Sequence, residues 1–287
     1  MSRERGTVRR GSRVVTLDTA GRLLLSAAGI VVALAVLLPV VWMALTAFKP
    51  ETDIVTFPPR LWPGAFTWEH FTDIWSRIPF AHVYANTIVF AGCVTVFSLL
   101  FDSMMGYALA RFDFPGRNAM FIIVLLLLMV PFQVTLIPLY DELAKMGLAN
   151  SLPGMIVPRM TNAFGIFFMR QFYLSLPKDL EEAARVDGAG EWRIFTRIIT
   201  PLAKPAMLTL GLFHFQYNWN DLIWPLIMSR DINSSTLPSA LALFAGQHVV
   251  EYGLLMAGSL LALAPVIVFF LIIQRSFVTG IATTGMK

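Results

Sequence analysis

Residues 23–48 read LLLSAAGIVVALAVLLPVVWMALTAF, an apolar run without a single charged side chain. At a rise of about 1.5 Å per residue, about 20 apolar residues cross a hydrocarbon core of about 30 Å, so this run is long enough to span a bilayer. Arg3, Arg5, Arg9, Arg10, Arg13 and Arg22 precede it, the outline of a secretory signal. A cleavable signal, however, carries only about 7–15 apolar residues and a small-residue cleavage site. This run ends in Thr46-Ala47-Phe48-Lys49-Pro50 and is expected to stay as a membrane helix.

The same pattern recurs along the chain. Of 287 residues, 56% are hydrophobic and 14% charged, whereas a soluble globule carries about a quarter charged residues. Only helices and closed barrels satisfy their backbone in lipid, and the alternation of a barrel strand is absent. Apolar runs predict spans at 23–48, 82–110, 118–140, 152–174, 201–228 and 252–274. The expected fold is therefore an all-α integral membrane protein of six transmembrane helices. It divides into an N-terminal tail (1–22), one transmembrane domain (23–276) and a C-terminal tail (277–287).

Positively charged short loops tend to stay cytoplasmic, which orients the spans. The arginine-rich N-terminus goes inside. So do Arg111 and Arg117 around a Phe114-Pro115-Gly116 turn, the segment with Lys178, Arg185, Arg193, Arg197 and Lys204, and the tail with Arg275 and Lys287. Both termini are then cytoplasmic. Trp62, Trp68 and Trp75, Asp141 and Glu142, and residues 230–251 fall outside. The outer loop 49–79 is rich in Pro and Trp and reads as an interfacial cap or, less economically, as a docking surface.

The net charge of +4 is spread over short loops with no basic block interleaved with aromatics, which argues against nucleic acid. The single cysteine, Cys93, lies in an apolar run and can form no intrachain disulfide. With four scattered histidines, no Gly-rich phosphate loop and no nucleophile motif, enzymatic chemistry is not expected.

Residues 176–201, LPKDLEEAARVDGAGEWRIFTRIITP, stand apart. Pro177 suits a first helical turn, and Asp179, Glu181 and Glu182 put negative charge at the positive end of the helix dipole. Gly188 can take a left-handed conformation and end that helix. After the break, Trp192, Phe195, Ile198 and Ile199 recur at helical spacing, with Arg193 and Arg197 on another side. A short helix, a break and a second amphipathic helix follow. A helix lying on lipid headgroups usually carries excess Lys and Arg, whereas here acids balance bases, which favours protein docking.

This segment resembles the EAA loop of permease subunits of ATP-binding-cassette importers of the carbohydrate-uptake type. The family pattern is Glu-Ala-Ala, three residues, Gly, nine residues, then Ile-x-Leu-Pro. It falls on Glu182, Ala183, Ala184, Gly188, Ile198 and Pro201, with Thr200 in place of Leu. The resemblance extends to residues 218–226, NWNDLIWPL, to Asn86-Thr87, and to the tail 277–287. It implies that the short cytoplasmic helix between the fourth and fifth spans is a coupling helix seated on a separate ATPase. Glu181, Glu182, Ala183, Ala184, Arg185, Asp187, Gly188, Ile198 and Pro201 are its candidate residues. It also implies a second, homologous permease subunit, two cytoplasmic ATPase subunits that hold ATP and magnesium, an extracytoplasmic substrate-binding protein, and a bacterial inner-membrane location. No cofactor is expected on this chain itself. The substrate implied is a sugar or oligosaccharide, or alternatively glycerol-3-phosphate or a glycerophosphodiester.

Polar groups inside spans are costly and mark either a watery path or interhelical contacts. The densest set is His214, Gln216, Asn218, Asn220 and Asp221 in the fifth span, with Tyr217 and Trp219 placed to stack on a sugar ring. Gln216, Asn218, Trp219, Asn220 and Asp221 are the candidate substrate path. Asp102 and Arg159 are expected to pair with partners the sequence does not name, and Arg170 to snorkel towards the cytoplasm. Pro131, Pro138, Pro158 and Pro225 interrupt helices. An ion-coupled secondary transporter would also use intramembrane carboxylates, but the inverted repeats usual in that class are not visible and residues 176–201 would go unexplained. A purely structural membrane scaffold is the third reading.

Overall fold

A computed structural model describes residues 19–246 and 250–284, and the described residues are helical or irregular, without strands. Residues 1–18 and 285–287 of the expected tails lie outside the described residues. Three of the expected spans form helices long and apolar enough to cross a membrane: Leu23–Ala47, Phe80–Arg111 and Tyr252–Leu271. They belong to α1 (Thr19–Ala47), to the whole of α4 (Phe80–Arg111) and to α15 (Tyr252–Thr284).

Two short helices lie between the first two of these, α2 (Glu51–Ile54) and α3 (Glu69–Arg77). They shape the outer cap expected at 49–79. Ile74 and His70 are buried, and His70 Nε2 lies 2.8 Å from the Lys49 carbonyl oxygen. A Glu51 carboxylate oxygen accepts from the Gly253 amide at 3.1 Å, capping α15 from another part of the chain. Trp62, Trp68 and Trp75 are exposed.

The other expected spans are interrupted, and proline chemistry explains much of it. The 118–140 run folds as α5 (Arg117–Met129) and α6 (Phe132–Lys145), bent by 100°. Pro131 has no N–H and pushes the residue before it out of the helical region, and Val130 sits at φ −83°, ψ 114°. The 152–174 run becomes α7 (Leu152–Ile156), a 3-10 turn at Val157–Arg159, an unwound stretch at 160–162 and α8 (Ala163–Ser175). Beyond the short helices α9 (Asp179–Val186), α10 (Glu191–Ile194) and α11 (Thr200–Leu202) come α12 (Lys204–Trp219), α13 (Ile223–Met228) and α14 (Leu237–Gly246). The segment Glu191–Leu202 meets α12 at 77°, and residues 220–222 break the helix again. Length and apolarity thus support three spans, or five if each bent pair crosses once, instead of six unbroken helices.

α4 lies at the centre, packed against α8 and α12. Several of its buried polar residues hold a neighbouring segment. Asn86 donates to the Asn233 and Ser235 carbonyl oxygens at 2.7 and 2.9 Å, and the Thr87 hydroxyl accepts from the Leu237 amide at 2.7 Å. Asp102, with no exposed surface, accepts from the Thr161 hydroxyl (2.8 Å) and the Asn162 amide (2.9 Å) and lies 3.1 Å from His214 Nε2. α1, by contrast, leans on α15 and buries none of its apolar window within the chain.

A Cβ at Gly165 would lie 1.9 Å from Asp102 Oδ2, whereas one at Gly92, also helical, would meet nothing within 4 Å. Gly165→Ala is expected to displace the Asp102 carboxylate and destabilise by about 1–3 kcal/mol. Gly92→Ala is expected to be neutral or to stabilise by up to about 1 kcal/mol. Thermal melting of the two variants in the same detergent checks the difference.

Candidate functional site

The segment 176–201 has the helix–break–helix layout read from its sequence. α9 ends at a turn in which Gly188 takes φ +79° and its N–H donates to the Arg185 carbonyl oxygen at 3.0 Å. Only glycine adopts that backbone freely. α10 then passes through a π-helical turn at Phe195–Ile199 into α11. Phe195 and Ile199 are buried and Ile198 half-buried, but Trp192, expected on the same side, is 63% exposed.

α9 presents two faces. Ala184 and Glu181 are buried, whereas Glu182, Ala183, Arg185, Asp187 and Gly188 are exposed, as is Pro201 further on. Glu181 forms a buried ion pair with Arg111 at the end of α4, Nε to Oε1 2.8 Å, with side chains 3% and 2% exposed. Arg111 also donates to the Leu176 carbonyl oxygen at 2.9 Å. The Tyr107 hydroxyl points at the second Glu181 oxygen from 3.5 Å. The Glu181 carboxylate is therefore spent inside the chain, and Glu182 offers the exposed one. Arg185 grips Glu191 with two hydrogen bonds, 2.6 and 3.0 Å, closing the break between α9 and α10. Those bonds hold the Glu191 carboxyl below its ordinary pKa. In the sequence Arg111 marks the topology of its loop, and nothing in its spacing names Glu181 as a partner.

The polar set of α12 and the break after it lies along two cavities. The larger, about 870 Å³, is lined by Gln216, Asn220 and Asp221, and the smaller, about 430 Å³, by Asn218, Arg159 and Thr161. Asn162, His214 and Tyr217 line both. Sites that enclose small ligands have volumes of about 300–1,000 Å³. Trp219 faces elsewhere: its indole N–H donates to the Ala262 carbonyl oxygen at 3.1 Å, and its ring packs on Phe215 and Tyr84. Of the two aromatic residues read as stacking groups, the cavities therefore receive Tyr217 and not Trp219.

The partners missing from the sequence reading are now visible. Asp102 meets His214, and Arg159 meets Asp221 with Nη2 2.7 Å from Oδ2. Arg170 lies over the Phe121 ring at 3.8 Å and donates to the Leu109 carbonyl oxygen. Asn162 and Thr161 were missed altogether. Asn162 precedes an apolar helix and accepts from the Phe164 amide at 2.8 Å, so its cap signature was legible, but its place on a cavity was not.

Among the described residues, apolar helices long enough to cross a membrane, a short helix pair held against the bundle and cavities beside broken helices form an arrangement that suits a transporter subunit. The chain belongs to the family of binding-protein-dependent transport system inner membrane components, whose pattern matches residues 102–283. It is 34% identical over 252 residues to the arabinooligosaccharides transport system permease protein AraQ of Halalkalibacterium halodurans, covering 87% of this chain and 90% of that one. It is 31% identical to the diacetylchitobiose uptake system permease protein NgcG of Streptomyces coelicolor, over 84% and 80% of the two chains. With the sn-glycerol-3-phosphate transport system permease protein UgpE of Pectobacterium atrosepticum it shares 33% identity over 86% and 91%. Its fold matches a chain of a bacterial ABC transporter that imports the acidic polysaccharide alginate, with TM-score 0.77 and 23% identity over 91% and 99% of the chains.

The two faces of α9 predict two different phenotypes. Glu181→Ala strands a buried guanidinium and is expected to cost about 3–5 kcal/mol, read as a large fall in melting temperature. Glu182→Ala removes nothing from the interior and is expected to shift stability by less than about 0.5 kcal/mol. Equal melting temperatures would show that the Arg111–Glu181 pair does not hold α9 in place.

Proposed function

We propose that this chain is one of two permease subunits of an ATP-driven importer that carries a sugar or oligosaccharide across the bacterial inner membrane. The observation that carries this reading is the exposed face of α9, with Glu182, Ala183, Asp187 and Gly188 beside a buried anchor. Small residues let another protein approach closely, and an unpaired exposed carboxylate gives it a hydrogen-bonding partner. ATP hydrolysis would lie on two cytoplasmic ATPase subunits seated there, with ATP and magnesium bound by them. The second permease subunit would cover the open sides of the cavities, and an extracytoplasmic binding protein would deliver substrate to the outer cap.

In this assembly both termini are cytoplasmic. The six-span reading counts the pair α5–α6 and the segments α7–α8 and α12–α13 as one crossing each. Broken helices at mid-depth are how many transporters expose backbone and polar side chains to a substrate. Saccharides are favoured as substrate by relatives named for arabinooligosaccharides and diacetylchitobiose, together with the amide-lined cavities. The relative named for sn-glycerol-3-phosphate supports the runner-up, a phosphate ester.

The test is uptake and binding-protein-stimulated ATP hydrolysis in proteoliposomes holding the full complex. Glu182→Lys is expected to lower uptake and weaken retention of the ATPase while the membrane fold survives; unchanged uptake would remove the docking role from this segment. Alanine at Asn218, Asn220 and Asp221 is expected to lower uptake or alter its substrate dependence, and normal transport by all three would take them off the path.

A further inference from the structure

The linings of the two cavities are almost free of charge. Among the described residues that line them, only Arg159 and Asp221 carry a full charge, and each is turned to the other across 2.7 Å. Their side chains are 10% and 11% exposed. The Arg159 guanidinium lies 4.5 Å from the centre of the Phe132 ring, 5.6 Å from Tyr217 and 5.9 Å from Trp224, and Nη1 is 3.4 Å from Asn218 Oδ1. His214, the lining histidine, directs Nε2 at the buried Asp102 carboxylate, 3.1 Å away. The pair stands where two helices are broken. Arg159 closes the 3-10 turn after α7, and Asp221 lies in the break between α12 and α13.

Recognition of a phosphate or carboxylate uses a guanidinium or ammonium that is free to form charge-assisted hydrogen bonds. Here the single guanidinium is already neutralised by Asp221, so an anion entering the cavities meets no free cation to offset the hydration it loses. Low dielectric around a buried pair strengthens both effects. The remaining polar lining is neutral: Thr161, Asn162, Gln216, Asn220 and the Tyr217 hydroxyl, with the Tyr217 ring as an apolar face. Such a set hydrogen-bonds to uncharged hydroxyls and packs against a sugar ring.

We infer that the Arg159–Asp221 pair is a charge filter that sets this chain's share of the path to uncharged saccharides and turns away phosphate- and carboxylate-bearing ones. The inference rests on the sugar-permease reading above and narrows it, since it speaks against the phosphate-ester runner-up. Asp221 acts by masking Arg159, so removing the Asp221 charge should open the path to anions.

The test is equilibrium binding to the assembled importer in lipid nanodiscs with the binding protein left out, so that the binding protein's selectivity does not enter. Labelled arabinotriose or diacetylchitobiose is displaced by the unlabelled sugar, by sn-glycerol 3-phosphate and by digalacturonate. In the wild type the anions are expected to compete at least about tenfold more weakly than the neutral sugar, because no free cation offsets the hydration an anion loses on entry. In Asp221→Asn that preference is expected to shrink by about tenfold or more, and in Arg159→Gln/Asp221→Asn to return, because the unmasked guanidinium is gone. A single variant with the wild-type preference overturns the filter, as does a double variant that behaves like the single one. The wild-type arm is decisive even if a variant fails to assemble: neutral sugars and anions competing equally overturns the filter alone. Binding of glycerol phosphate with no neutral sugar bound overturns the sugar reading itself.

Discussion

Asp102 is the point from which much of the fold is held. Lipid offers no hydrogen bonds, so an unwound stretch at membrane depth survives only where protein satisfies it. Residues 160–162 are unwound within an apolar run, and Asp102 takes the Thr161 hydroxyl and the Asn162 amide on one oxygen while the other faces His214 on α12. One carboxylate thus joins α4, the entry to α8 and the middle of α12. Gly165 leaves the space it occupies.

The contacts continue from there towards α9. Ser103 and Tyr173 share a hydrogen bond of 2.6 Å, Arg111 holds the last carbonyl region of α8 through Leu176, and Glu181 ties α9 to the same arginine. The C-terminal part of α4, α8 and α9 are therefore cross-linked at successive turns. From Asp102 to Arg111 the helix rises about 14 Å. A load applied to the exposed face of α9 would travel that distance through buried polar contacts, which resist displacement more than apolar sliding surfaces do, since each unmade bond in lipid leaves an unsatisfied group. The π-helical turn at Phe195–Ile199 lies on the second route, from α10 into α12, where a widened turn loosens the backbone ladder.

How much of this was legible follows from what each kind of signal encodes. Apolar length marked α1, α4 and α15 correctly, because crossing lipid is a local demand on composition. It overcounted continuous helices elsewhere. Composition does not register that Pro131 turns the chain by 100°, or that α8 begins only at Ala163. The helix–break–helix of 176–201 was legible because caps are local, down to the left-handed Gly188. The division of labour between Glu181 and Glu182 was not, because it depends on Arg111, which the fold brings there from far along the chain. Likewise Asp102 and Arg159 were recognisable as residues that must be paired, but His214 and Asp221 became their partners only through the packing of α12. Trp219 was misplaced for the same reason. Its neighbours in sequence line the cavities, yet its own face of α12 turns to Ala262 on α15.

The breaks also explain why the polar side chains collect where they do. A continuous helix in lipid has its backbone satisfied and gains nothing from nearby amides and acids, which would only add desolvation cost. Where Pro131, the 3-10 turn at Val157–Arg159 and the stretch 220–222 open the ladder, unpaired backbone and polar side chains become mutually useful. Asp221 accepts from the Trp224 amide at the start of α13 while it pairs with Arg159, and Asn162 caps α8 while it lines both cavities. The same residues that make the broken helices tolerable in a membrane thereby become the wall of the cavities. A substitution in that wall alters backbone satisfaction and ligand chemistry together. Separating the two therefore needs paired variants that restore charge balance without restoring shape.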